Sequence, residues 1–155
     1  MSVGVLAIQG DFREHRLALE ACGAAVAEVR LPEHLEGLQA LVIPGGESTT
    51  IGKLMALYGL DQAIRSFCAS GKPVFGTCAG MIVLANNIED SRQERLGLLD
   101  ATVLRNAFGR QVDSFEADIE VEEIGAPPFR AVFIRAPYIK SVGKSVQILG
   151  QFEGR

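Results

Sequence analysis

The chain has 155 residues, 48% of them hydrophobic and 22% charged, and a formal net charge of −4. That length fits one domain with a sizeable core, and an acidic pI near 5.2 speaks against nucleic acid as a main partner. No run reaches the length of a membrane span, Met1-Ser2-Val3-Gly4 lacks the layout of a secretory leader, and three unpaired cysteines (Cys22, Cys68, Cys78) suit a reducing cytoplasm.

Val3 to Ile8 is a short apolar run ending at Gln9-Gly10 and predicts a buried first strand. Asp11 is placed to cap the next helix, in which Phe12, His15, Leu19 and Cys22 share a face and which Gly23 stops. Ala25 to Arg30 reads as a second strand, ended by Leu31-Pro32. Leu41-Val42-Ile43 reads as a third, followed by Pro44-Gly45-Gly46. Ser48, Thr49 or Thr50 is expected to cap a helix whose apolar positions are Ile51, Leu54, Met55 and Tyr58. Leu60, Ile64, Phe67 and Cys68 mark another helical face, closed by Gly71, and a strand at Val74 follows.

Beyond Asn86 the character changes. Asn87 to Arg95 is a polar loop, and Leu98 to Leu104 a strand. From Phe115 to Glu122 apolar and acidic residues alternate, the period of a half-exposed antiparallel strand. Ala131–Ile134 and Val146–Leu149 are expected to be further strands. Strands alternating with helices across short glycine turns predict an α/β fold of three layers: a mostly parallel sheet with helices on both faces and an added antiparallel strand region. No repeat, low-complexity tract or linker interrupts it.

The segment most charged with chemistry is Lys72-Pro73-Val74-Phe75-Gly76-Thr77-Cys78-Ala79-Gly80-Met81. A buried strand, a turn with glycines two residues either side of a cysteine, and an apolar helix give the spacing of a nucleophile elbow, with sulfur in place of the commoner hydroxyl. Packing is the usual fate of a free cysteine, and on that ground Cys22 and Cys68, on apolar helix faces, are packing residues. For Cys78 the context reverses the balance. The helix N-terminus favours a thiolate, and the Ala79 N–H stays free for an oxyanion.

Gly45-Gly46 also follows a strand and precedes a helix. It is either the second donor of an oxyanion hole or an ordinary turn; the lysine and spacing of a phosphate-binding loop are missing. Glu47, Arg105 and Arg135 are candidates to hold the ammonium and carboxylate of an amino acid, against the alternative of solvated surface charge. The acidic residues from Glu116 to Glu122 read as the wet face of a strand rather than a metal site. Of the two histidines, His15 reads as a packed or interface residue and His34 as surface. No histidine follows Cys78.

Three blocks acquire more meaning together: Pro44-Gly45-Gly46-Glu47-Ser48-Thr49-Thr50, Gly76-Thr77-Cys78-Ala79-Gly80, and Arg105-Asn106 through Phe108-Gly109-Arg110-Gln111 to Asp113-Ser114-Phe115. With Phe133-Ile134-Arg135-Ala136-Pro137 and the opening Gly4 to Gly10, they resemble, from end to end of the chain, the glutaminase subunit of pyridoxal 5′-phosphate synthase, a class I glutamine amidotransferase family. The resemblance implies that Cys78 attacks the side-chain amide of L-glutamine. Ammonia passes to a synthase subunit that builds pyridoxal 5′-phosphate from pentose and triose phosphates, with no cofactor or metal in the glutaminase. It implies an oxyanion hole at Gly45, Gly46 and Ala79, completed on docking to the synthase. It further implies glutamine contacts at Gly46, Glu47, Ser48, Arg105, Ile134 and Arg135. The partners expected are glutamine and the synthase, in a hetero-oligomeric complex, with neither nucleic acid nor membrane.

Family members carry a His-Pro-Glu triad segment beyond the equivalent of Gly150–Arg155. The sequence reading therefore expects a single amidotransferase-like domain over 1–155, shortened at its C-terminus, in which Cys78 lacks its base and glutamine turnover is slight. The competing reading from another class is a non-catalytic amidotransferase-like module that binds a partner or senses redox state through its thiol.

Overall fold

The computed structural model describes residues 1–105, 115–133 and 136–152. Its first half is a parallel sheet built from β1 (Ser2–Leu6), β2 (Ala25–Val29), β3 (Ala40–Ile43) and β4 (Val74–Gly76), in the order β2-β1-β3-β4. Helix α1 (Phe12–Ala21) links β1 to β2, while α2 (Ser48–Leu57) and α3 (Leu60–Ala69) link β3 to β4. Successive strand residues point to opposite faces, and the sequence exploits this. Val3, Val5 and Val42 are buried on the face covered by Phe12 and Leu19 of α1. Leu6, Leu41 and Ile43 are buried on the other face, against Ile51, Met55, Ile64 and Phe67 of α2 and α3. Two apolar clusters separated by one sheet make the three layers the sequence predicts.

β1, β3 and β4 are neighbours in the sheet, and each ends at the same rim. The turns that leave them, at Gln9-Gly10-Asp11, Gly45-Gly46-Glu47 and Thr77-Cys78, are thereby placed side by side at the carboxyl edge, where open parallel sheets bind ligands. After the third turn comes α4 (Ala79–Leu84), which runs directly into a second sheet of β5 (Ala85–Ile88), β6 (Leu99–Leu104) and β9 (Tyr138–Val142). β5 and β6 pair parallel, and β6 and β9 antiparallel. Ile82, Ala85, Ile88 and Val103 form its core, with Met81 and Ile139 packed on it. A hairpin of β7 (Phe115–Ile119) and β8 (Phe129–Phe133) stands apart as a third sheet. Its rings stack Phe115 on Phe133 at 4.8 Å, with Phe152 5.1 Å from Phe115. The acidic face of β7 is exposed, and Arg130 of β8 bridges Glu116 and Asp118.

Several expectations are corrected. Residues 146–149 form no strand: Ile148 and Leu149 are exposed, and Gly150 packs against Ile119 and Val121 without a ladder. The pairing partner of β6 is instead Tyr138–Val142, whose polar Lys140-Ser141 hid it from a reading by apolar runs. Asn87 and Ile88, expected to open the polar loop, instead end a strand, Ala85–Ile88, in which Ala85 and Ile88 are buried beside Val103. Cys22 is exposed at the end of α1 rather than packed, and Cys68 is half-buried. The α2 cap is Glu47, not one of the three hydroxyl residues after it.

The spacing of glycines around Cys78 has a steric cause. A side-chain carbon on Gly76 would lie 2.6 Å from the Gly80 carbonyl carbon, and one on Gly80 would collide with the Ile43 carbonyl oxygen. Only at these glycines can α4 sit so close to β3 and β4. Gly80→Ala is expected to lower stability by about 1–3 kcal/mol, the usual range for overpacking. The measurement is the urea midpoint at unchanged m-value; a wild-type midpoint would contradict the packing argument.

Candidate active site

Cys78 sits between β4 and α4 with φ 48° and ψ −106°, on the positive-φ side that L-residues seldom occupy. The neighbouring backbone holds it there. The Thr77 N–H donates to the Ile43 carbonyl (3.1 Å), the Gly80 N–H to the Thr77 carbonyl (2.8 Å) and the Ile82 N–H to the Cys78 carbonyl (3.2 Å). Such a conformation persists only where its surroundings over-determine it, and it is concentrated at functional sites. Cys78 is exposed, whereas the residues after it, Ala79 and Gly80, are buried. The turn thus lifts the thiol above the core. Ala79 opens α4, and the first amides of a helix have no partner within it.

Gly45 faces the cysteine. A side-chain carbon there would lie 3.5 Å from Cys78 Cβ, so the two turns are in contact. The Gly45–Glu47 segment is itself fixed from behind by two residues that the sequence does not assign to the site. The Asp11 N–H donates to the Gly45 carbonyl (3.0 Å), and Gln9 Oε1 accepts from the Glu47 N–H (2.8 Å). Asp11 makes no side-chain cap for α1; it serves this loop through its backbone instead.

Glu47 has its carboxylate turned onto the first turn of α2. It accepts from the Thr50 hydroxyl (2.7 Å) and from the N–H groups of Thr50 (2.6 Å) and Thr49 (3.1 Å). The Thr50 hydroxyl bond foremost, then the two amides, hold its pKa down at about 2 against a partial rise from burial. The same carboxylate meets the Arg105 guanidinium at 3.3 Å, so an anion and a cation stand together at the rim. Ser48 is buried, and its hydroxyl donates to Gln93 Oε1 (3.2 Å), which also accepts from the Thr49 hydroxyl (3.4 Å). Gln93 lies in the stretch read only as a polar loop. Ile134 and Arg135 lie outside the described residues, as does the whole block from Asn106 to Ser114.

Gly45, Gly46, Glu47, Ser48, Cys78 and Arg105 line one cleft of about 1020 Å³. Its lining also holds polar Gln9, Asp11, His15 and Thr77 and apolar Met81, Ile82 and Phe133. A smaller hollow of about 520 Å³ beside Glu120 and Pro128 contains no nucleophile. His15, expected to be a packed or interface residue, lines the cleft instead of sitting in the core, and its Nε2 lies 2.9 Å from the Thr77 hydroxyl. His34 is exposed, as expected, and its Nδ1 accepts from the Arg30 N–H. Among the described residues no group of three metal-ligating side chains forms a cluster, and no helix is long and apolar enough to cross a membrane. A thiol, the backbone of two adjoining turns and a paired carboxylate and guanidinium in one open cleft are suited to acyl transfer from a small zwitterion.

Comparison with known proteins gives a consistent answer. The SNO glutamine amidotransferase family matches residues 5–155. The chain is 61% identical to the pyridoxal 5′-phosphate synthase subunit PdxT of Desulforudis audaxviator over 153 residues, 99% of this chain and 81% of that protein. It is 60% identical to the PdxT of Pelotomaculum thermopropionicum, across 98% of this chain and 78% of that one. A crystal structure of a glutamine amidotransferase superposes with a TM-score of 0.92 at 55% identity, covering 98% of this chain and 80% of that one.

The Glu47 carboxylate gives a pH signature. Its folded pKa of about 2 lies below the ordinary 4.5, so the stabilisation it confers is complete above pH 4.5 and is lost as pH falls toward 2. Replacing an N-cap typically costs about 1 kcal/mol. Glu47→Ala should therefore be less stable than wild type at pH 6, with a gap that narrows on acidification. A gap that is constant down to pH 2 in denaturant titrations would contradict this.

Proposed function

The chain belongs to the SNO glutamine amidotransferase family, and from that premise we propose that Cys78 is the nucleophile of a glutaminase that supplies ammonia for pyridoxal 5′-phosphate synthesis. The observation that carries this reading is the exposed Cys78 at positive φ, set against Gly45 in the cleft that also holds Glu47 and Arg105.

In this mechanism the Cys78 thiolate attacks the side-chain carboxamide carbon of L-glutamine. The carbonyl oxygen becomes an oxyanion, received by the Ala79 N–H and the Gly45-Gly46 turn, where aligned donors are worth several kcal/mol of barrier. The C–N bond then breaks and the nitrogen leaves as ammonia, taking through solvent water the proton that the Cys78 thiol gave up. Water attacks the resulting thioester, releasing glutamate and restoring the thiol. Arg105 is assigned to the substrate carboxylate and Glu47 to its ammonium. Glu47 stays anionic through the physiological range because of its bonds to α2, so it keeps the charge that this role needs. Gly46 and Ser48 complete the substrate contacts, and Ile134 and Arg135 are assigned to the same pocket from the resemblance alone. The partner is the synthase subunit, and the compartment the cytoplasm, in keeping with free thiols.

Both histidines of the chain are engaged elsewhere: His34 with the Arg30 amide, His15 with Asp11 and Thr77. Neither is left to carry the Cys78 proton, and acid–base assistance is worth about 10²- to 10⁴-fold in rate. The 155-residue chain is therefore expected to release ammonia from glutamine at a near-background rate, even with the synthase present. Robust turnover in a coupled ammonia assay would overturn that point.

The pocket itself is tested without turnover. 6-Diazo-5-oxo-norleucine, an electrophilic glutamine analogue, should label Cys78 alone of the three cysteines, and L-glutamine should block the labelling. Labelling spread over Cys22, Cys68 and Cys78, or unaffected by glutamine, would refute the glutaminase reading and favour a thiol-sensing or partner-binding module.

A further inference from the structure

His15 is a polar group in the cleft that the reaction does not use. Its Nδ1 lies 2.8 Å from the Asp11 carbonyl oxygen and its Nε2 lies 2.9 Å from Thr77 Oγ1. A carbonyl oxygen only accepts, so Nδ1 carries the ring proton. In the neutral ring Nε2 is then an acceptor, and the Thr77 hydroxyl donates to it. The tautomer is thus dictated by the two partners.

The bond ties together all three turns of the rim. On one side His15 holds the Asp11 carbonyl, and the Asp11 N–H in turn holds the Gly45 carbonyl. On the other it holds the side chain of Thr77, the residue before the strained Cys78. The backbone of Thr77 is already bound to Ile43 and Gly80, so the hydroxyl is the remaining handle on this turn. No residue of α1 is fully buried. The helix therefore lacks the deep packing that would hold it against the elbow by itself, and the part-buried His15–Thr77 bond spans that gap across 62 residues of chain.

We propose that His15 is a positioning residue: through Thr77 it holds the cysteine turn in register with the Gly45 turn, so that sulfur and oxyanion donors face one reacting carbon. The proposal rests on the reading of Cys78 as the nucleophile. A geometric role of this kind acts on the rate of bond formation at sulfur and leaves the affinity for the amino acid portion of the substrate unchanged.

The test uses four variants of the full chain: His15→Ala, His15→Gln, Thr77→Val and the double His15→Ala/Thr77→Val. Two rates are read for each, saturable inactivation by 6-diazo-5-oxo-norleucine and alkylation of Cys78 by iodoacetamide. A lost hydrogen bond of ordinary strength corresponds to about a five- to tenfold change in rate. His15→Ala and Thr77→Val should each slow maximal inactivation by about that factor, with the half-saturating concentration unchanged. His15→Gln, whose amide oxygen can accept from Thr77, should recover most of the loss. The double variant should be no slower than the slower single, because both remove one bond. Thr77→Val is nearly isosteric, so it decides the matter if His15→Ala folds poorly. The proposal is overturned if Thr77→Val reacts at the wild-type rate, if the two losses add, or if His15→Gln is as slow as His15→Ala. Iodoacetamide alkylation, which needs the thiol but no oxyanion donor, should run at the wild-type rate in every variant, and a matching slowdown there would overturn the proposal. Should wild type show no glutamine-protected labelling, the glutaminase reading fails and the proposal with it; protected labelling of wild type with unslowed variants overturns the proposal alone.

Discussion

Cys78 holds a backbone conformation at φ 48° that a free peptide would abandon, and it does so because α4 is pressed onto the end of β3 through Gly80. The contact is backbone on backbone: Gly80 against the Ile43 carbonyl, and Gly76 against Gly80. Any side chain at either glycine would push the helix away and let the turn relax. The same contact sets the reach of the thiol. With Ala79 and Gly80 buried, the chain has one way to turn, and it turns with the sulfur outward. A feature that looks like a motif of five letters is therefore a statement about how closely a helix can approach a sheet.

The remainder of the cleft is organised around that elbow by polar groups that seldom act alone. Gln9 and Asp11 hold the Gly45–Glu47 loop from behind, and Gln93 holds the hydroxyls of Ser48 and Thr49. Glu47 closes the N-terminus of α2 and pairs with Arg105. Apart from the local cap of Glu47 on Thr49 and Thr50, each tie joins segments far apart in the chain, and each leaves the rim less free to rearrange. A site assembled in this way holds its charged side chains and the Gly45–Glu47 loop in place beforehand. Such preorganisation is where most of the catalytic advantage of an amide-hydrolysing site resides.

The parallel sheet, the elbow and the Gly45-Gly46 turn were legible in the sequence because they rest on local regularities: apolar runs of strand length, helical spacing, and glycines at positions where only glycine fits. The polar scaffold was not legible. Gln9 reaches Glu47 across 38 residues, Ser48 reaches Gln93 across 45, and His15 reaches Thr77 across 62, and such bonds leave no periodic trace. Position 47 escapes a reading by residue type because three hydroxyl residues follow it, each a good cap; the longer glutamate reaches over them to the Thr49 and Thr50 amides. The second sheet was the hardest part. Its strands are short and half polar, and β5 is a strand only because β6 lies beside it to bury Ala85 and Ile88.

The central claim is that one reacting carbon fits between the Cys78 sulfur and the amides of two adjoining turns. A crystal structure of the chain after reaction with 6-diazo-5-oxo-norleucine tests it most directly. The account predicts a covalent bond to Cys78 Sγ, with the adduct's oxygen about 2.7–3.1 Å from the Ala79 N–H and an amide of the Gly45-Gly46 turn, the distances such donors require. An adduct on Cys22 or Cys68, or an oxygen directed away from the Pro44–Gly46 turn, would contradict it.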